Sequence, residues 1–271
     1  MRDKPMALLT RFNAALAALT LVLCALGSSA LAQDKIEQVF ELSGFTRIDL
    51  QGSSSLEIVQ GDSFSVVASG APEAVALARA EVRGDTLKLW VEPTHKRFFG
   101  VVTVSDGQSV DYRVSLPEIE AVEVTGSGEA TAETLESENL VLKVTGSGDL
   151  VVKKVAAESL VAAVTGSGDL ALGTVLAVRS EASIRGSGDL AFDSFAGEDL
   201  ETDIKGSGDM VINGRVGTVR INIMGSGDFV GRNLQADRAE GAVMGSGDVV
   251  LRRPGSDSFS VMGSGDIALV D

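Results

Sequence analysis

The chain is written in short apolar alternations. Leu140-x-Leu142-x-Val144, Leu160-x-Ala162-x-Val164 and Leu200-x-Thr202-x-Ile204 each place an apolar or small residue at every second position. Between them come Leu150-Val151-Val152 with Val155, Leu170-Ala171-Leu172 with Val175, and Leu190, Phe192 and Phe195. Period-two runs of this length, rich in Val, Ile and Leu, predict strands with one buried face. No 3.6-residue stripe is long enough to supply the helix of a leucine-rich or ankyrin-type repeat.

The alternations recur at a fixed spacing, marked by a tripeptide. Gly-Ser-Gly occurs eight times, with its glycines at Gly126 and Gly128, Gly146 and Gly148, Gly166 and Gly168, Gly186 and Gly188, Gly206 and Gly208, Gly225 and Gly227, Gly245 and Gly247, and Gly263 and Gly265. Successive copies are 20, 20, 20, 20, 19, 20 and 18 residues apart. Such a period signals a solenoid, in which each unit buries its apolar face only against its neighbours. The reading is therefore an all-β, right-handed parallel β-solenoid (a β-helix) of about 20-residue coils, each with two short strands and two turns. Eight coils at strand spacing make a rod roughly 38 Å long. Gly-Ser-Gly is its tight corner, because glycine tolerates positive φ and lets stacked corners approach. The serines between are placed to form a ladder of hydroxyls bonding to neighbouring turns.

The regular region spans residues 121–271, and residues 33–120 vary the theme. Phe45–Gln60 repeats the order strand, Gly-Ser corner, strand; Gln60–Ser63 is a hairpin-like turn; residues 71–80 read as a short helix or helical turn. Strands follow at Leu87–Val91, Val101–Ser105 and Val110–Leu116, and Pro117 closes the section. This predicts the first, longer coils of the same solenoid acting as its cap, with a separate small β domain as the alternative. Residues 1–32 have the form of a cleaved signal peptide: Arg2, Lys4 and Arg11, an apolar run from Ala14 to Gly27, and a small-x-small site after Ala32. Leu23 before Cys24 argues against lipidation. No other stretch is long and apolar enough to span a bilayer as a helix, so the mature chain is expected to be exported, to the periplasm or the cell surface.

Composition then narrows the chemistry. One Cys and one His in 271 residues leave no disulfide framework and no Cys- or multi-His metal site. The chain carries 23 Lys and Arg against 38 Asp and Glu, an acidic balance that argues against nucleic acid as a partner. Eight of the acids follow the corners: Glu129, Asp149, Asp169, Asp189, Asp209, Asp228, Asp248 and Asp266. Stacked in register, neighbouring carboxylates repel by about 1 kcal/mol even in bulk water. Three offsets are open: backbone N–H bonds from each carboxylate's own Gly-rich corner, Ca²⁺ or another hard cation between rungs, or carboxylates splayed into solvent. No other cofactor is indicated.

Two further features bear on contact. The residue before each corner runs Thr125, Thr145, Thr165, Arg185, Lys205, Met224, Met244, Met262, ending in an outward strip of three methionines. These either fold over the corners or form a partner surface. Glu92–Gly100 clusters His95, Lys96, Arg97, Phe98 and Phe99, a surface insertion or a contact loop.

The ordered set Gly44-Phe-Thr-Arg-Ile-Asp-Leu50, Leu56-Glu-Ile-Val-Gln-Gly-Asp62, Gly84-Asp-Thr-Leu-Lys-Leu89 and repeated Gly-Ser-Gly-Asp-Leu resembles the auto-transporter adhesin head GIN domain family, from about residue 37 onward. The resemblance implies an exported β-solenoid with an adhesin role and brings no catalytic or binding residues. An auto-transporter carries a C-terminal membrane barrel, whereas the repeats here run to Asp271, so surface display is expected to use another anchor. Connections are too short for the loop-built cleft of a solenoid lyase or hydrolase, and no enzyme is expected. The leading reading is a binding module for an envelope or surface ligand, glycan or protein; the alternative is a scaffold that self-associates through its end or side.

Overall fold

A computed structural model of the chain describes residues 35–98, 101–105 and 109–271; the proposed leader lies outside the described residues. The strands are β1 (Ile36–Phe40), β2 (Arg47–Gly52), β3 (Ser55–Gln60), β4 (Ser65–Gly70), β5 (Ala78–Arg83), β6 (Thr86–Val91), β7 (Thr94–Phe98), β8 (Val101–Ser105), β9 (Asp111–Leu116) and β10 (Ala121–Gly126). The regular coils are β11 (Glu129–Gly146), β12 (Asp149–Gly166), β13 (Leu170–Gly186), β14 (Leu190–Gly206) and β15 (Met210–Gly225). The stack ends with β16 (Phe229–Gly231), β17 (Leu234–Gly245), β18 (Val249–Arg252), β19 (Ser256–Gly263) and β20 (Ile267–Val270). The single helical turn among the described residues, α1 (Pro72–Val75), starts with Pro where its missing N–H costs nothing.

Parallel pairing runs from β10 and β11 through β20, each coil bonded to the next in register: Leu140 lies on Leu160, Val144 on Val164 and Gly146 on Gly166. A β-solenoid of coils of about 20 residues is thus the observed fold. Its strands differ in one respect from the alternation. Each regular coil is a continuous strand of 16–18 residues, bent where the pairing of β11 with β12 skips Glu133 and Glu138. The bends divide it into three straight segments where two were expected. The cause is local: Lys153-Lys154 and Glu158-Ser159 turn outward on either side of the single buried Val155, so the chain turns twice while its backbone ladder continues.

Inward residues form columns along the rod. Val144, Val164, Ile184, Ile204, Ile223 and Val243 make one; Leu150, Leu170, Leu190, Met210, Phe229 and Val249 make another; all are buried. Polar intruders are few. Thr202 donates its hydroxyl to the Arg220 carbonyl oxygen at 3.1 Å, while the Ser180 hydroxyl, in a column with Leu140, Leu160, Leu200, Val219 and Ala239, has no protein partner. Where one interval shortens to 19 residues, the register shift falls at the bend between Phe192 and Phe195, beside Gly214.

The first rungs are laid out of sequence order. β2 and β3 pair in parallel with β10 and β11 above and with β6 and β9 below, so the second rung is written before the lowest one. Antiparallel strands cover the lowest rung: β4 pairs with β9, β5 with β6, and β1 with β4. Where, among the described residues, no strand lies under residues 134–137, the Gln60 side chain supplies bonds to Glu136. Its carboxamide donates to the Glu136 carbonyl at 2.9 Å and accepts the Glu136 N–H at 2.7 Å. Below, buried Tyr112 donates its hydroxyl to the Trp90 carbonyl at 2.7 Å and accepts the Arg79 N–H at 3.2 Å.

Two outcomes test this account. Gly166 has φ +124° and a methyl group there would overlap the Gly146 carbonyl, whereas Gly44 has φ +77° and open space around it. Gly44→Ala is expected to lose about 1–2 kcal/mol from backbone strain alone, and Gly166→Ala at least about 3 kcal/mol, from strain plus overpacking, in denaturant titrations. Burial pushes the Tyr112 phenol up to about 12. As the chain's one tyrosine, it titrates alone in phenolate absorbance. A raised pKa keeps its full contribution below the unfolded value near 10 and loses it as pH rises through 12. Stability is therefore expected to fall across pH 10–12, and less so in Tyr112→Phe.

Candidate functional site

The surface chemistry is organised by the corner. The Gly146 carbonyl accepts two bonds from the coil above, from the Ser167 N–H at 2.8 Å and the Gly168 N–H at 3.1 Å; Gly166 does the same for Ser187 and Gly188. The serine's backbone N–H, rather than its hydroxyl, therefore ties corner to corner. Two glycines are needed because both stacked positions approach a carbonyl too closely for a side chain.

The acids after the corner form a continuous ladder. The Asp149 carboxylate accepts the Asp169 N–H at 3.1 Å, and Asp169 accepts that of Asp189 at 2.9 Å. The series runs on through Asp209, Asp228, Asp248 and Asp266 at 2.7–2.9 Å. The offset to charge repulsion is thus a backbone N–H, but it comes from the next coil and not from the carboxylate's own corner. A hydrogen bond to a charged group is worth roughly 1.5–3 kcal/mol, against about 1 kcal/mol for each neighbouring pair of charges in water, so the ladder is favourable even when solvent reduces both. Glu129 sits at the foot of the column, one methylene longer, and the Asp149 N–H above it goes instead to the Gly128 carbonyl at 2.9 Å. Among the described residues no group of three or more His, Cys, Asp or Glu gathers closely enough to hold a metal ion.

Flanking columns give this edge its apolar character. Met224, Met244 and Met262 stack in register on one side of the corner, 50%, 37% and 63% exposed. On the other side, two residues beyond the acids, runs a second outward column: Thr131, Val151, Ala171, Ala191, Val211, Val230, Val250 and Ala268. Sequence reasoning missed it, because Leu150-Val151-Val152 reads as one apolar run; the signal was the alternation counted from the acid. Around the C-terminal coils the Gly-Ser-Gly-Asp ridge is therefore apolar on both flanks.

The basic and aromatic cluster lies elsewhere. His95, Lys96, Arg97 and Phe98 are in β7, which forms an antiparallel hairpin with β8; Phe99 is outside the described residues. An open groove of about 670 Å³ lies on the outer face of β3 and β9, with Glu37, Glu57, Asp111 and Glu129 around Arg113. Arg113 pairs with Glu57 at 2.5 Å and Lys35 with Asp111 at 3.1 Å, leaving the groove acidic overall.

Comparison with known proteins places this arrangement. A family model described as "Putative auto-transporter adhesin, head GIN domain" matches residues 44–179 and 173–270. Among solved structures, a putative lipid binding protein from Parabacteroides distasonis aligns with TM-score 0.74 and 20% identity, over 88% of this chain and 97% of that one. A putative adhesin from Bacteroides fragilis aligns with TM-score 0.67 and 19% identity, over 88% and 98%. A second Parabacteroides distasonis structure, also a putative adhesin, gives 0.71 and 17%, over 88% and 97%. At these identities the likeness is one of fold. No curated protein matches.

The ladder makes its own prediction. Asp189→Asn keeps an oxygen for the Asp209 N–H and removes two repulsions, so its melting temperature is expected to equal or exceed that of the parent. Asp189→Ala makes the same charge change but strands that N–H, and is expected to lose about 1 kcal/mol. Equal stability of the two variants would show that an acceptor for the Asp209 N–H contributes nothing.

Proposed function

The chain belongs to the family of the auto-transporter adhesin head GIN domain, and on that premise we propose that it is a non-catalytic, adhesin-like binding module of the cell envelope. The contact surface is the ridge along the C-terminal coils. The observation that carries this reading is the stacking of Met224, Met244 and Met262 on one flank of the acid ladder, with Val211, Val230 and Val250 on the other. Contiguous exposed apolar surface of this kind marks interaction sites, and methionine adapts to irregular apolar partners.

The chemistry favours a protein ligand over a glycan. The flanks are aliphatic and thioether, and methionine is enriched where proteins meet. The ladder between them supplies negative potential, which selects a partner carrying basic groups beside an apolar strip. No helix among the described residues is long and apolar enough to cross a membrane. Export in this reading rests on the leader form of residues 1–32.

Labelled protein is expected to bind intact cells saturably, and the triple variant with Met224, Met244 and Met262 each changed to Ser to bind at least about tenfold more weakly with unchanged melting temperature. Protease treatment of the cells is expected to abolish binding and glycosidase treatment to leave it intact. Because one relative in fold carries a lipid-binding name, vesicles of anionic and zwitterionic lipid are included. Binding to vesicles, or loss of binding after glycosidase, would overturn the protein-ligand reading.

A further inference from the structure

The rod is finished differently at its two ends. At the N-terminal end β1, β4 and β5 cover the lowest rung. At the other end β19 and β20 pair with β17 and β18 on one side and, among the described residues, with no strand on the other. The core columns come to the surface there. Val261 is 41% exposed, where Val243 beneath it is 1% exposed, and Phe259, Ile267 and Leu269 are only partly buried. A strand edge with free N–H and C=O groups and apolar side chains is a template for pairing. β19 holds no Pro and no Lys, and Asp257 is its one charge.

We propose that this edge pairs with the same edge of a second copy, closing a tail-to-tail homodimer about a two-fold axis through Ser260. Head-to-tail growth needs a complementary open end, and the N-terminal end is covered; an isologous contact uses one surface twice and stops at two.

The register follows from parity. Antiparallel neighbours directly opposite each other share a face, so an axis midway between two residues would set inward side chains against outward ones. An axis through Phe259 sets Asp257 against Val261 of the second copy. The axis through Ser260 sets Phe259 against Val261 of the second copy, Met262 against Ser258, and Asp257 against Gly263, which has no side chain to oppose it. It also brings the corner bearing Asp266 toward Arg252 of the other chain, a charge-complementary approach, while the neighbouring Arg253 stays paired with Asp271 of its own chain at 3.2 Å. The inward Asp257, a device that normally guards an edge, excludes the axis through Phe259, and the axis through Ser260 is the one that pairs Phe259 with Val261.

The test uses the exported chain, residues 33–271, which holds no cysteine, so that an introduced thiol is the sole one. Sedimentation is expected to show a species of twice the chain mass, and Ser260→Cys to cross-link it through a disulfide or a short bismaleimide. Ser147→Cys, on a corner of an early coil, is expected to give no cross-linked dimer. Val261→Lys is expected to weaken association at least about tenfold. A monomer at every concentration, oligomers that grow beyond two, or a dimer that Ser260→Cys fails to trap and Val261→Lys fails to weaken would each overturn the proposal. The contact face shares only Met262 with this edge, and Val261→Lys leaves Met224 and Met244 untouched, so loss of dimer with cell binding retained, or the reverse, separates the two readings.

Discussion

Everything in this molecule depends on one ladder: the backbone hydrogen bonds that hold each coil at about 4.8 Å from the next. In a parallel in-register stack every residue sees its equivalent above and below. A shift of one position would turn the buried columns outward, so the apolar alternation and the repeat length constrain each other. The two shortened intervals show how narrow the allowance is. One residue is dropped at a bend beside Gly214 and two near Pro254-Gly255, both where straight segments meet, and the Gly-Ser-Gly corners on either side stay in line. The corner glycines answer to the same spacing, since at that distance a carbonyl occupies the space where a side chain would begin.

Much of this was legible because repetition amplifies weak signals. One Gly-Ser-Gly is an ordinary turn, but eight at a steady interval define a coil, and the Leu, Val and Ile columns follow from it. What stayed hidden was geometry that the pattern of one coil does not encode. Val155 stands alone between two outward doublets, so its short segment left no alternation to detect. The out-of-order rungs near the N-terminus were hidden for another reason. β2 and β3 resemble a coil, but the strands beneath them, β6 under β2 and β9 under β3, come from separate places later in the chain.

The acid ladder shows how far a chemical argument reaches without coordinates. Repulsion between stacked carboxylates required an offset, and a backbone N–H was among those considered. The donor was misplaced because a corner was treated as a local object, like an isolated Asx turn. In a stack the nearest free N–H belongs to the next coil. From Asp169 onward that N–H leaves the carbonyl it would otherwise bond, while the Leu150 N–H reaches up to the Asp169 carbonyl at 3.0 Å. Local motifs in solenoids are therefore better read one rung at a time than one turn at a time.

Once bonded this way, the ladder has a direction. Each carboxylate accepts from the C-terminal side, so every internal coil is both acceptor and donor and the two chain ends differ. The bottom is closed by a glutamate that does not join the series, by the Gln60 amide standing in for a peptide, and by antiparallel strands. At the top, the Asp266 N–H donates to the Asp248 carboxylate, and among the described residues no N–H from a further coil reaches the Asp266 carboxylate. That end also bears the incompletely buried core residues and the unpaired edge of β19. The polarity of one side-chain ladder thus agrees with the packing about which end of the described rod is covered by antiparallel strands and which leaves a strand edge open.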